Sequence, residues 1–238
     1  WVRLETTQEA WRTIGNAGTT AGTHFIGTTD NVSLDFRVNN TKAGHIGKAG
    51  DNSVFLGSLA GFNDDGSDNR NTFIGTQAGY SNTTGYWNTA SGYQALYSNT
   101  TGYWNTASGY QALYSNTTGY FNTASGFQAL YSSTTGTYNT ASGSHALYFN
   151  TAGYRNTASG NYALYFNTIG YRNTANGSGA LYSNTTGYSN TASGSLALYS
   201  NTTGNYNASL GYYAGFGAND VNFNQCTFVG ANSYPTVA

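Results

Sequence analysis

The sequence predicts an all-β protein, a parallel β-solenoid (β-roll) of 17-residue coils with two short strands per coil. The first observation is strict recurrence: Asn stands at 71, 88, 105, 122, 139, 156, 173, 190 and 207, and Gly follows four residues after each. A fixed period of this length marks a repeat architecture in which each unit buries its apolar face only against its neighbours. The second is the unit itself, Asn-Thr-Ala-Ser-Gly-Tyr-Gln-Ala-Leu-Tyr-Ser-Asn-Thr-Thr-Gly-Tyr-Trp at 88–104. Asn-Thr-Ala-Ser and Gln-Ala-Leu-Tyr are separated by Gly-rich and Asn/Thr-rich turns, and neither is long enough for a helix. The third is composition: 32 Gly and 1 Pro in 238 residues, with 16% aromatic side chains, argue against helical repeats and against disorder.

The elements follow in chain order. Residues 1–50 read as an N-terminal lead-in and cap, in which Val32, Leu34, Phe36 and Val38 alternate with Ser33, Asp35 and Arg37 as in a half-buried strand. Residues 51–223 read as the repetitive solenoid, regular from 71, and 224–238 as a last irregular coil that breaks off in mid-pattern. Ser53-Val-Phe-Leu-Gly57 and Cys226-Thr-Phe-Val-Gly230 mirror Asn71-Thr-Phe-Ile-Gly75 at spacings of 18 and 19. The start at Trp1, with no initiator Met and no signal-peptide pattern, reads as a processed product or a piece of a longer chain. Every acidic residue lies outside 71–219, where the only charges are Arg155 and Arg172, so the flanks are expected to act as polar caps.

Comparing the repeats with one another assigns the faces. Ala90 goes with Leu96, Ala107 with Leu113 and Ala124 with Leu130, whereas Phe55 goes with Gly61 and Phe73 with Gly79. Conserved summed volume is what close packing demands, so the two positions are expected to point inward and touch. The pair Ser209 and Gly215 breaks the rule. If the Ala points in, its neighbours point out: Thr89 and Ser91, Thr106 and Ser108, Thr123 and Ser125, Thr140 and Ser142, Thr157 and Ser159, Thr174 and Asn176, Thr191 and Ser193. They form two hydroxyl ladders on a face that is either exposed or covered by another subunit. Toward the ends the second rank becomes apolar, with Leu56, Ile74, Leu210 and Val229.

Two further ladders are aromatic. Tyr97, Tyr114, Tyr131, Tyr148, Tyr165, Tyr182 and Tyr199 share one position; Trp87, Trp104, Phe121, Tyr138, Arg155 and Arg172 share another. Stacked rings stabilise a solenoid, Arg155 is placed for a cation–π contact with Tyr138, and exposed rings also suit the apolar faces of sugars. The Asn ladder is expected to be structural, with sequons such as Asn99-Thr100-Thr101 as by-products.

The chemistry of catalysis is missing. His24, His45 and His145 are scattered and no nucleophile–base spacing recurs, so the chain reads as no enzyme and needs no cofactor. The run Gly15–Gly22 lacks the Lys of a phosphate loop and reads as a turn. Asp64, Asp65 and Asp68 are close enough to offer Ca²⁺ hard oxygen ligands, though they match no EF-hand pattern. With 7% charged residues and a net charge of -1, there is no basic footprint for nucleic acid. No apolar run approaches ~20 residues, so no membrane insertion is expected. The single Cys226 excludes an intrachain disulfide.

The repeated Asn-Thr-Ala-Ser-Gly-Tyr-Gln-Ala-Leu-Tyr-Ser-Asn-Thr-Thr-Gly resembles the repeat of bacterial cell-surface and phage tail-fibre-like proteins, especially large secreted proteins of Bacteroidetes. The segment from Gly15 to Asn31 resembles their lead-in. The forms Ser-Val-Phe-Leu-Gly and Asn-Thr-Phe-Ile-Gly are similar to the β-roll heads of trimeric autotransporter adhesins, from which the chain departs in its longer coils and in Ser at the outward position of the central ones. The resemblance implies an extracellular, cell-surface fibre segment that self-associates as a homotrimer and is used for attachment to glycans or cells. Two other readings remain open: the Thr-x-Ser ladders resemble the Thr-x-Thr ranks of β-solenoid ice-binding proteins, and uncapped coils would let the chain build end-to-end filaments.

Overall fold

The computed structural model describes residues 27–216 and 223–233; most of the lead-in, including Gly15–Gly22 and His24, lies outside the described residues. The described chain is all-β and forms one 13-stranded sheet whose spatial order follows the sequence. Strands β1 (Leu34–Val38) and β2 (Thr41–Ile46) make an antiparallel hairpin. Asn39 and Asn40, both at positive φ, turn it in the manner of two-residue hairpin loops, where Asn tolerates the left-handed region. Strand β2 pairs antiparallel with β3 (Val54–Leu56). From β3 every pairing is parallel: β4 (Thr72–Ile74), then three-residue strands from β5 (Thr89–Ser91) to β11 (Thr191–Ser193), then β12 (Ala208–Leu210) and β13 (Thr227–Val229). Each Thr-Ala-Ser meets its copy in register, Thr89 with Thr106, Ala90 with Ala107 and Ser91 with Ser108. Ten strand spacings give a rod about 48 Å long.

One expectation is corrected: a coil contains one strand, not two. Gln-Ala-Leu-Tyr is a turn in which Gln94 and Leu96 both have left-handed φ. The reason is burial. Ala95 and Leu96 are adjacent and both fully inside, whereas consecutive residues of a strand face opposite sides. The left-handed residues swing both side chains inward, and the backbone still bonds from coil to coil, Gln111 N–H to Tyr93 O and Leu113 N–H to Ala129 O. Such residues cost roughly 1–2 kcal/mol each, offset by the ladder that each turn completes.

The inward assignment holds. Ala90, Leu96 and their copies are buried, and a Cβ on Gly61 or Gly79 would lie 2.6 Å from the Phe55 ring or 2.4 Å from the Phe73 ring. The exception at Ser209 and Gly215 has a local explanation. A Cβ on Gly215 would meet the Phe228 ring of the last coil at 2.8 Å, and Ser209 Oγ donates to Ala214 O at 2.7 Å. The missing volume is supplied by the next coil.

The interior also holds two columns of buried amides. Asn88 Nδ2 donates to Gly102 O, its Oδ1 accepts the backbone N–H of Asn105, and the motif repeats along the rod. A second column, Asn82, Asn99 and Asn116, is linked by Nδ2-to-Oδ1 bonds of 2.7 Å. Stacked identical amides thereby satisfy coil backbones that no water reaches. Asn99 is fully buried, so its sequon is closed to modification in the folded chain.

This second column is broken at Ser133. Ser133 replaces Asn, its hydroxyl is buried without a partner, and so is Asn116 Oδ1 below it; Asn150 above accepts from Asn167 Nδ2, but its own Nδ2 bonds only to Gly153 O in its own coil. Ser133→Asn is expected to stabilise the fold by about 1–2 kcal/mol by pairing both neighbours. Urea unfolding with an unchanged slope and a raised midpoint would show it; a lowered midpoint would mean that the coil has closed around the serine.

The N-terminal end is capped by the hairpin. His45 stacks on Phe55 at 5.3 Å, Phe55 stacks on Phe73 at 5.1 Å, and Lys42 Nζ sits 5.1 Å from the centre of the Phe55 ring. Asp35 and Arg37 on β1 place charge on the outer strand, a common protection of sheet edges.

Candidate functional site

The solenoid presents three kinds of column, and hydrogen bonding separates those that hold the coils together from those that are available. Thr100 Oγ1 donates to Thr117 O and Thr117 Oγ1 to Thr134 O, and the series continues from Thr83 to Thr185. These hydroxyls are engaged. Those of the predicted face are not: among the described residues, no hydroxyl of Thr89, Ser91, Thr106, Ser108, Thr123, Ser125, Thr140, Ser142, Thr157, Ser159, Thr191 or Ser193 bonds to another protein group. All but half-buried Ser193 are exposed. They form a flat, uncharged grid, ~4.8 Å between coils and about 6.7 Å along each strand. At its ends Leu56 (45% exposed) and Ile74, then Leu210 and Val229 (69%), replace the serines.

The aromatic columns are structural in a way the sequence does not show. Phe62, Tyr80, Tyr97, Tyr114, Tyr131, Tyr148, Tyr165, Tyr182, Tyr199 and Phe216 form one half-buried run, with centroids such as Tyr97–Tyr114 at 5.1 Å and planes within 6°. Each inner ring has neighbours on both faces, so a sugar finds ring edges rather than the faces it would stack on. Burial first, and neighbouring phenols second, hold the Tyr114, Tyr165 and Tyr182 hydroxyls above the usual phenol range, which keeps them neutral.

The second column runs Arg70, Trp87, Trp104, Phe121, Tyr138, Arg155, Arg172. Trp87 and Trp104 stack at 4.8 Å, Trp104 and Phe121 at 4.5 Å, Phe121 and Tyr138 at 5.0 Å. A guanidinium closes each end, Arg70 5.8 Å from Trp87 and Arg155 5.8 Å from Tyr138. The cation–π contact expected at Arg155 is present, and the one at Arg70 completes a symmetry that sequence reading missed. Trp87 and Trp104 remain 40% and 42% exposed along their edges.

The acidic loop is not brought together as a cation site. Asp64 occupies the place of the column Asn and ends that column, accepting from Asn82 Nδ2, Asn69 Nδ2 and Gly66 N–H. Burial pushes its carboxyl up against these bonds. Asp65 accepts from Ser67 N–H and Asn69, and Asp68 holds Arg70 through two bonds of 2.9 and 2.7 Å. Among the described residues no cluster of three His, Cys, Asp or Glu side chains could hold a metal ion.

One constellation was not foreseen. His45 Nδ1 lies 2.7 Å from Asp35 Oδ1 and Nε2 2.8 Å from buried Asp51 Oδ2, and the His45 bond holds the Asp35 carboxyl below its ordinary range. The two carboxylates come from β1 and from the loop before β3, a proximity created by the hairpin. Both ring nitrogens are engaged by carboxylates of different elements, and these contacts tie the hairpin cap to the first coil. His145 packs on Tyr162 at 4.9 Å, and burial pushes its imidazole down. No helix among the described residues is long and apolar enough to cross a membrane. Compared with protein-family models, with curated proteins and with solved structures, the chain matches none.

Proposed function

We propose that this chain is a non-enzymatic segment of an extracellular fibre, a rigid solenoid that self-associates and presents a repetitive surface of Thr and Ser hydroxyls flanked by Tyr edges for multivalent attachment to glycans or cells. The observation that carries the reading is the uninterrupted register of the parallel ladder from β3 to β13. A rod of constant cross-section, with the same groups every coil, gains avidity by effective concentration rather than through one deep site. The uncharged sheet face with exposed Leu56, Ile74, Leu210 and Val229 at its ends supports self-association through that face. Light scattering across a concentration series tests it. A homotrimer gives three times the 25.2 kDa chain mass, growth with concentration indicates filaments, and one chain mass throughout overturns self-association.

A second reading is favoured by the unengaged hydroxyl grid, which would bind the ordered water of an ice surface. If so, Ser108→Tyr with Ser125→Tyr abolishes inhibition of ice recrystallisation. Unchanged inhibition in the double variant, or none in the parent chain, excludes it.

A further inference from the structure

Arg155 and Arg172 are the only charged residues between 71 and 219. They end successive coils with the same left-handed φ of 55°, and backbone bonds to Thr137 O and Tyr154 O, both 3.0 Å, fix their place. Both side chains are exposed, and among the described residues neither guanidinium makes an ion pair or a side-chain hydrogen bond. One coil apart, at ~4.8 Å, two such charges repel by about 1 kcal/mol even in water. Arg155 has the Tyr138 ring in return; among the described residues Arg172 has no ring contact of that kind. The contrast lies in the same column, where Arg70 takes the same turn but carries its own carboxylate, Asp68, and its own ring, Trp87. Beside the pair, Tyr154 and Tyr171 stack at 4.8 Å, and beyond Tyr138 the exposed edges of Phe121, Trp104 and Trp87 continue the line along the rod.

We infer that Arg155 and Arg172 form a subsite for an acidic polysaccharide lying along the rod axis, a reading that rests on the attachment function and names its ligand class. Guanidinium forks bind carboxylates bidentately, and two forks one coil apart read carboxylates carried along one polymer. A nucleic-acid duplex would need a basic stripe along its phosphates, and two isolated cations supply none.

The test uses the full chain on immobilised polygalacturonate and on the same polymer with its carboxyls methyl-esterified, at rising NaCl. The parent chain is expected to be retained by the acid form, released by salt, and retained weakly or not at all by the ester. R155Q/R172Q is expected to lose at least about tenfold in affinity, or ~1.4 kcal/mol, with an unchanged thermal midpoint. R37Q, which removes one positive charge from the cap instead, is expected to bind as the parent does. Equal retention of acid and ester overturns the carboxylate reading, and an R155Q/R172Q variant that binds like the parent overturns the site while leaving attachment standing. Failure of the parent on both polymers overturns the ligand class, and the mass measurement then judges the fibre reading separately.

Discussion

Changing Asn105 to Asp is expected to cost the fold about 3–5 kcal/mol at neutral pH, the range for an uncompensated buried charge, and far less in acid. Asn105 Nδ2 donates to Gly119 O at 2.9 Å and faces Asn88 Oδ1 at 3.2 Å, while its Oδ1 receives both the N–H and the Nδ2 of Asn122 at 3.1 Å. An aspartate puts an anionic oxygen where the donor stood, against two acceptors and away from water. The folded state then raises this carboxyl above the ~3.9 of an unfolded chain. A raised acid destabilises only above its unfolded value, so the penalty is absent below that pH and grows until the folded value is passed. Urea denaturation at about pH 3 and pH 7 checks this. An equal cost at both would mean that water reaches the amide column.

Gly109→Ala is expected to be at least as damaging, by more than about 3 kcal/mol, at every pH. Gly109 has φ +135°, and a Cβ there would lie 2.4 Å from Gly126 O in the next coil. Two terms add, the cost of a conformation that L-residues rarely adopt and a clash with backbone that cannot rotate away. Gly230→Ala separates them, since Gly230 has φ +105° with nothing within 4 Å. It should cost only the conformational term, ~1–3 kcal/mol. Because each coil touches only its neighbours, the central substitution should also split unfolding into two transitions. A single transition with a small shift for Gly109→Ala would show that the coils can separate locally without loss.

The repeat made much of this legible. The parallel ladder, the inward Ala and Leu, the outward Thr and Ser, and the exchange of Phe55 for Gly61 all follow from a 17-residue period with conserved volume. Gln-Ala-Leu-Tyr reads as a strand by its length and its flanking turns, yet an Ala-Leu pair in nearly every coil, with both residues buried, is incompatible with the alternation of a flat strand. The candidate site was less legible. Hydroxyl columns look alike in sequence, yet the Thr100 hydroxyl is bonded to the next coil and the Thr106 hydroxyl is not, because only the backbone path decides which hydroxyl lies over a carbonyl.

The sequence by itself determined the period, the face to which each strand residue points and the near-absence of charge, because these depend on local alternation and on volume that every coil must conserve. Tertiary structure decided what the period leaves open. It placed Asp64 at the end of an amide column rather than in a cation site, brought Asp35 and Asp51 to His45, and stacked the Tyr rings face to face so that only their edges reach solvent. It also left Arg172 with no carboxylate within reach among the described residues. Each of these outcomes depends on which groups the winding of the backbone sets one coil apart, at ~4.8 Å, a distance that separation along the chain does not encode.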